Sequence, residues 1–362
     1  MSDPAHSGAP RRRVPIRLLV RLAVIAVTLA LCALLLRGLK LHEVIATLRH
    51  ADWRLVLAAV AANMSINTVA RVSRWRTLVT PLPHTGEAAR WWELCSILLA
   101  SGAASNLLPA RAGEALRTVQ LHRRHGYPVG GLVAAQLIEK VIEGLSLGSM
   151  AIPVALWGET PIALRVPLFL FAAVGAVGIV TLLVLPRRAG PCDRPNPPTK
   201  PSLPSVTPPV TPPVTPLVVG GGRARFRRLL LALSRFFGRL GEGLQLMRAP
   251  FVLSTALAWS WLSDLADALM VGLCMHSVGI ELPIGSWVSM LLAINVAIAL
   301  PSTPAQLGVL EAGAVLALAT FGVPESQALA FAVLYHAAHV IPTTLAGLVG
   351  LRQQWVPANQ RA

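Results

Sequence analysis

Acidic side chains are scarce: 362 residues carry 16 Asp+Glu against 32 Lys+Arg, and charged residues make up only 13% of the chain. A soluble enzyme carries about twice that charged fraction, so an ordinary soluble catalyst is excluded. Cysteine is sparse too. Cys32, Cys95, Cys192 and Cys274 are scattered without a CxxC or a metal-ligand spacing, which gives no sign of a disulfide framework or a zinc site. Gly220-Gly-Gly222 is followed by no GK[ST], so no ATP-binding loop is expected. No nucleophile elbow is visible either, and neither cofactor nor metal is expected.

What is abundant is apolar sequence, 54% of residues with a mean hydropathy of +0.62. Apolar runs of about 17 to 25 residues match the thickness of a bilayer. The chain reads as an all-α polytopic membrane protein. Full spans are expected near 18–36, 54–70, 131–156, 163–185, 251–277 and 327–350. The first, preceded by Arg11-Arg12-Arg13 and lacking an A-x-A-like cleavage site, reads as a signal anchor. Segments 92–108 and 286–300 are short for a crossing, and each runs into a Pro-containing break followed by another helix-like stretch. Such breaks are tolerated at membrane depth only where the backbone is buried or lines a cavity. The expected fold is therefore about six full spans plus two re-entrant helical hairpins, 92–125 and 286–322.

The net charge of +16 and a pI near 11.4 would point to nucleic acid in a soluble protein. In a membrane protein, anionic headgroups and the positive-inside rule explain it, and no nucleic acid is expected. Residues 187–248 hold eleven Lys+Arg against two acids, so that loop should be cytoplasmic. Arg71, Arg74, Arg76 and then Arg111, Arg117, Arg123, Arg124 put basic flanks on both sides of the first hairpin. That hairpin should dip in and return. The second should enter from outside, leaving the C-terminus inside at Arg352. Arg37, Lys40 and Arg49 in the first external loop count against this topology.

The expected organisation is a basic cytoplasmic N-terminus (1–17), a first transmembrane half (18–186), a cytoplasmic loop (187–249), a second half (250–351) and a cytoplasmic tail (352–362). Within the loop, residues 191–216 carry eleven of the 29 prolines, a composition that reads as disordered or extended polyproline. Arg225–Met247 places apolar residues at helical spacing among arginines, as in an interfacial amphipathic helix; a solvated connector is the alternative.

The two hairpins resemble each other. Leu98-Leu-Ala100, Pro109-Ala-Arg-Ala-Gly113, Gly126-Tyr-Pro128 and Ala134 find counterparts in Leu291-Leu-Ala293, Pro304-Ala-Gln-Leu-Gly308, Gly322-Val-Pro324 and Ala330. Three expected crossings separate the units, so the second would be inverted. Inverted repeats with broken helices are a common transporter architecture. Chance likeness between small-residue stretches is the competing explanation. A helix starting inside the membrane leaves free N–H groups and a partial positive charge, where an anionic headgroup can sit. Pro109 and Pro304 suit a first helical turn, and Gly113 and Gly308 permit close backbone or ligand approach; a plain kink is the alternative at each.

Ionisable residues at membrane depth are functional candidates because burying them is costly. Arg111, Glu114 and Arg117 form an i,i+3 ladder able to hold a lipid phosphate, with Glu114 orienting the arginines; a surface ladder without ligand is the alternative. Glu139, Lys140 and Glu143 fall within one span and line the same cavity or pair within the bundle. Asp264 and Asp267 share a helix face with no base nearby in sequence, so an arginine, Lys140 or protonation must compensate them. They are proton-coupling candidates, as is His336 with His339. Glu311 follows the second break as Glu114 follows the first.

Ser105-Asn-Leu-Leu-Pro-Ala-Arg-Ala-Gly-Glu-Ala-Leu-Arg117, Gln136-Leu-Ile-Glu-Lys-Val141, Pro301–Glu311 and Arg71-Val-Ser-Arg-Trp-Arg76 together resemble the flippase-like transmembrane region of the lysylphosphatidylglycerol synthase family. The resemblance runs from about 18 to 351, apart from the Pro-rich loop. It departs at Ala305-Gln306, where a glycine-rich pair would stand. The resemblance implies a multi-span inner-membrane protein that moves or handles anionic or aminoacylated phospholipids, or isoprenoid or hopanoid lipids. It also directs attention to Asn106, inside its most specific motif. The soluble aminoacyl-transferring domain of the full-length synthases is not present in this sequence, and the chain is not expected to make lysylphosphatidylglycerol or to be an enzyme. The leading expectation is a lipid translocator driven by ion or lipid gradients. A carboxylate-based membrane enzyme and an accessory subunit of a lipid-modifying or glycosyltransferase system are the other two readings.

Overall fold

A computed structural model describes residues 41–108, 112–157, 249–299 and 304–355, with isolated positions between 161 and 241. Isolated positions aside, the expected spans 18–36 and 163–185, the N-terminus, the loop 187–249 with its Pro-rich and amphipathic pieces, and the tail beyond 355 lie outside the described residues. So do Pro109 and Arg111.

Every regular element among the described residues is helical. The first, α1, is Leu41–His50. Asp52 then accepts from the Arg54 backbone N–H at 2.9 Å and starts α2, Trp53–Ala62. This helix continues through one π-helical turn, Asn63–Asn67, into α3, Thr68–Val79. The first hairpin is α4, Trp91–Leu107, and α5, Ala112–His125; α6 is Val129–Trp157. After the loop come α7, Pro250–Ser277, and the second hairpin: α8, Ile284–Ala299, a 3-10 turn at Pro304–Gln306, and α9, Val309–Ala319. Finally, α10 is Glu325–Trp355, with Pro342 inside it.

Three of these segments are long and apolar enough to cross a membrane: Trp53–Val79, α7, and Glu325–Leu351 of α10. The 29-residue α6 is long enough, but Glu139, Lys140 and Glu143 sit in its middle. The second helix extends well past the expected 54–70, so Arg71, Arg74 and Arg76 are helical residues, not a loop flank. Nothing breaks the helix before Pro81, and carboxylates from α6 neutralise Arg74 where it is buried.

Each hairpin closes where one small residue lets two backbones meet. A Cβ on Gly113 would stand 1.8 Å from the Ser101 carbonyl oxygen, and the Ser101 hydroxyl donates to the Gly113 carbonyl at 2.7 Å. In the second hairpin a Cβ on Gly313 would lie 2.5 Å from that of Ala297. Lipid tails are as apolar as leucine, so such close approaches rather than hydrophobic transfer hold membrane helices together. The same device seats α10 on α4, where a Cβ at Gly347 would meet the Leu99 carbonyl oxygen at 2.2 Å.

Both hairpins end alike. Gly126 and Gly322 take left-handed φ of 71° and 76°, which costs glycine little. Two residues on, Pro128 and Pro324 open the next helix, accepting from Leu132 at 3.0 Å and Ala328 at 2.9 Å. The first hairpin's ends meet where Gly86 N–H donates to the His125 carbonyl at 3.1 Å. Those of the second meet where Gln327 donates to the Val278 carbonyl at 2.9 Å. Ala256, in the first turns of α7, belongs to the apolar cluster that also holds Leu82 and Tyr127 beside the first junction, and Val252 and Leu253 pack against that cluster; α7 runs antiparallel to α3, with Asp267 beside Asn63 and Ser260 beside Arg74. Val278, beside the second, follows the last residue of α7. The hairpins therefore open at opposite ends of α7.

Candidate functional site

The charged centre of the bundle is built by α3, α5 and α6. Arg74, 1% exposed, donates from Nη2 to Glu139 Oε1 at 2.9 Å and to Glu143, and from Nη1 to Ser260 at 3.0 Å. Arg117, 5% exposed, donates to Glu139 Oε2 at 2.7 Å. Its guanidinium lies 3.9 Å from the centre of the Trp75 ring, a cation–π contact. Lys140 reaches Glu143 at 3.0 Å and Glu114 at 3.6 Å near the surface. The i,i+3 ladder is thus divided: Arg117 faces inward to Glu139, and Glu114 faces Lys140. Nε of Arg74, Nε of Arg117 and Nε1 of Trp75 are buried and find no acceptor among the described residues.

A second polar group joins α2, α3, α6 and α7. Asp264 accepts from the Ser146 hydroxyl. Asp267 Oδ1 accepts from the amides of Asn63 at 2.6 Å and Asn67 at 2.7 Å, and Ser263 donates to Asn67 Oδ1 at 2.6 Å. The arginine or Lys140 expected as partner is not there, because Arg74 and Lys140 are taken by Glu139 and Glu143. Both asparagines belong to the π turn, and their spacing of four residues puts both amides on one face, where they converge on one carboxylate. Single-turn π bulges recur at functional sites.

Next to this turn is a partly open cavity of about 40 Å³, lined in part by Asn63, Asn67, Thr68, Arg71, His339 and Thr343. That is room for about one water molecule. His339 Nδ1 is buried without a partner among the described residues. A larger groove, about 520 Å³, runs along Ser254, Thr255, Ala258, Trp259 and Leu262 of α7 and holds no ionisable side chain.

The two hairpin tips converge on α10. Asn106, at the end of α4, donates to the Thr344 hydroxyl at 2.9 Å. In the second hairpin Pro304 begins the 3-10 turn, and Ala305, Gln306 and Gly308 all have positive φ, of 54°, 64° and 83°. The two non-glycine residues cost about 1–2 kcal/mol each in that conformation, so something must hold them. His336 of α10 does: its Nε2 lies 2.8 Å from the Ala305 carbonyl, and its Nδ1 meets Glu311. The other Glu311 oxygen accepts the Gly308 N–H at 2.7 Å. That donor at the start of α9 is therefore occupied by the protein's own carboxylate, and α9 starts at Val309, five residues beyond Pro304. Pro342 between these contacts has no N–H to give the Ala338 carbonyl.

The lysylphosphatidylglycerol synthase TM region matches residues 18–194 and 209–347, most of the chain. The chain belongs to this family. Membership agrees with the apolar helices and makes it a multi-pass membrane protein of a family associated with lipid modification and flipping. The unmatched residues between the two family segments, 195–208, fall in the Pro-rich stretch. No curated protein matches the chain.

Sequence reasoning missed Arg74, which it counted as a topological charge, together with Asn63, Asn67 and Ser146. The signal available for Arg74 was its three-residue spacing from Arg71 on a helix that no proline or glycine stops. For the asparagines it was two amides four residues apart in an otherwise apolar span.

Proposed function

We propose that this family member binds the headgroup of an anionic or aminoacylated phospholipid, or of an isoprenoid- or hopanoid-type lipid, and carries it across the inner (plasma) membrane. The two hairpins are read as an inverted repeat, with both chain termini cytoplasmic and alternating access at the repeat interface. The observation that carries this reading is the meeting of two oppositely opening hairpins on the middle of α10, beside polar side chains at membrane depth. The headgroup's first contacts are Arg71, exposed at the cavity, and Arg111. Arg117 joins them when Glu139 is left to Arg74. Asp264 and Asp267, compensated by hydroxyl and amide donors, are the carboxyls read as coupling a proton to the movement.

The small cavity favours a second reading, a non-transporting accessory or scaffold subunit of a lipid-modifying or glycosyltransferase system. Transbilayer movement of labelled lipids in proteoliposomes separates the two. Headgroup-dependent movement lost in an Arg71→Ala, Arg111→Ala protein supports translocation. A folded protein that moves no anionic, aminoacylated or isoprenoid lipid supports the accessory role.

A further inference from the structure

We infer that Glu311 and His336 form a proton-binding site that holds the turn of the second hairpin shut and frees it when the proton leaves. The argument is a count of hydrogens. His336 Nε2 faces the Ala305 carbonyl at 2.8 Å, and a carbonyl oxygen only accepts, so Nε2 carries a hydrogen. A neutral imidazole then has a bare lone pair at Nδ1. Nδ1 nevertheless makes a hydrogen bond with Glu311. One more proton must lie between them, on the ring or on the carboxyl. The arrangement exists only when the pair holds one proton beyond the ordinary carboxylate and neutral imidazole.

With that proton the pair is neutral overall. Without it, a carboxylate oxygen faces a lone pair at a site where His336 is 5% and Glu311 9% exposed. Either the contact with Glu311 or the one with Ala305 must break, and on each route one of the two ties between α10 and the segment Ala305–Glu311 is lost, which loosens the left-handed turn.

Few other groups bear on this titration. On α10 itself they are His339, one turn on, and Tyr335, with Asp267 and Cys274 approaching them from α7 and Arg71 from α3. The sequence of α8 contains no titratable side chain, and that of α9 only Glu311. In α4, Glu93 and Cys95 lie in the first two turns, remote from the tip. In α1, His42, Glu43, Arg49 and His50 lie at the two helix ends. The proton site stands on its own; its use to drive lipid movement rests on the function proposed above.

The test is a spin label at Leu307→Cys, in the full chain with its native cysteines replaced by serine, reconstituted in liposomes and followed from about pH 5 to about pH 9. Leu307 is 52% exposed within the turn. The ratio of mobile to immobile label should rise with pH by up to about tenfold per unit, as release of one proton requires. Glu311→Gln should remain immobile throughout, because a carboxamide accepts the Gly308 N–H through its oxygen and donates to Nδ1 through its nitrogen. His336→Ala should be mobile at every pH. A label that ignores pH in the unsubstituted protein overturns the inference, as does a Glu311→Gln protein that titrates like its parent. A titrating label in a protein that moves no lipid keeps the proton site and removes only the transport reading.

Discussion

Arg74 and Arg117 hold the two oxygens of a single carboxylate: Arg74 takes Oε1 of Glu139 at 2.9 Å and Arg117 takes Oε2 at 2.7 Å. Helices α3, α5 and α6 are thereby tied through one side chain. Deleting one partner of a buried ion pair leaves the others uncompensated and costs about 3–5 kcal/mol. Arg74→Ala should therefore lower thermal stability in detergent more than Arg76→Ala, whose parent side chain is exposed. Equal melting shifts for the two would remove the structural role from Arg74.

Gly113→Ala should disrupt the first hairpin, since its Cβ would stand 1.8 Å from a backbone oxygen that no rotamer change can move. Overpacking of this kind costs about 1–3 kcal/mol. Gly102→Ala, where a Cβ meets nothing within 4 Å, is the control. The measurement is the melting temperature and monodispersity of both; a Gly113→Ala protein as stable as the control would refute the closure.

Single cysteines at positions 90 and 124, both exposed, should label from one side of the membrane, and those at 281 and 323 from the other. An impermeant thiol reagent applied to oriented vesicles reads this directly. Labelling of 90 and 124 from different faces would refute the paired ends of the first hairpin, and labelling of all four from one face would refute the opposed openings.

Asp264→Asn keeps the shape of the side chain and still leaves the Ser146 hydroxyl an acceptor. The folded protein should persist, with its melting temperature little changed. Proton-driven lipid movement should be lost while headgroup binding remains. Full movement in the Asp264→Asn protein would take Asp264 out of the coupling.

The helix ends were legible because the apolar pattern and its punctuation are local. Pro250 opens α7 one residue before the expected start, and the glycine-and-proline turns at 126–128 and 322–324 close their hairpins at the positions that the internal likeness marks. Partner choice was not legible. Arg74 looks in sequence like any basic flank, and only the packing of α3 against α6 and α7 reveals which carboxylates it meets. Asp264 and Asp267 lack a basic neighbour in sequence, which points to a remote cation or to protonation; the neutral donors Ser146, Asn63 and Asn67 lie about 118 to 204 residues away. The role of Glu311 was half legible. Its place three residues after Gly308 is a local capping pattern, but its second oxygen depends on a histidine from another helix.

The π turn at Asn63–Asn67 also fixes phase. An extra residue within one turn rotates everything after it by about 100° relative to an uninterrupted α-helix, and that rotation turns Arg74 and Trp75 toward the bundle. Because the wide turn absorbs one extra residue, deleting a residue from it would restore an uninterrupted α-helix and keep Arg74 on its present face, whereas drawing the turn into α geometry at its full length would swing Arg74 by about 100° away from the two glutamates of α6. The wide winding of this five-residue segment thus sets which face of the crossing helix carries charge.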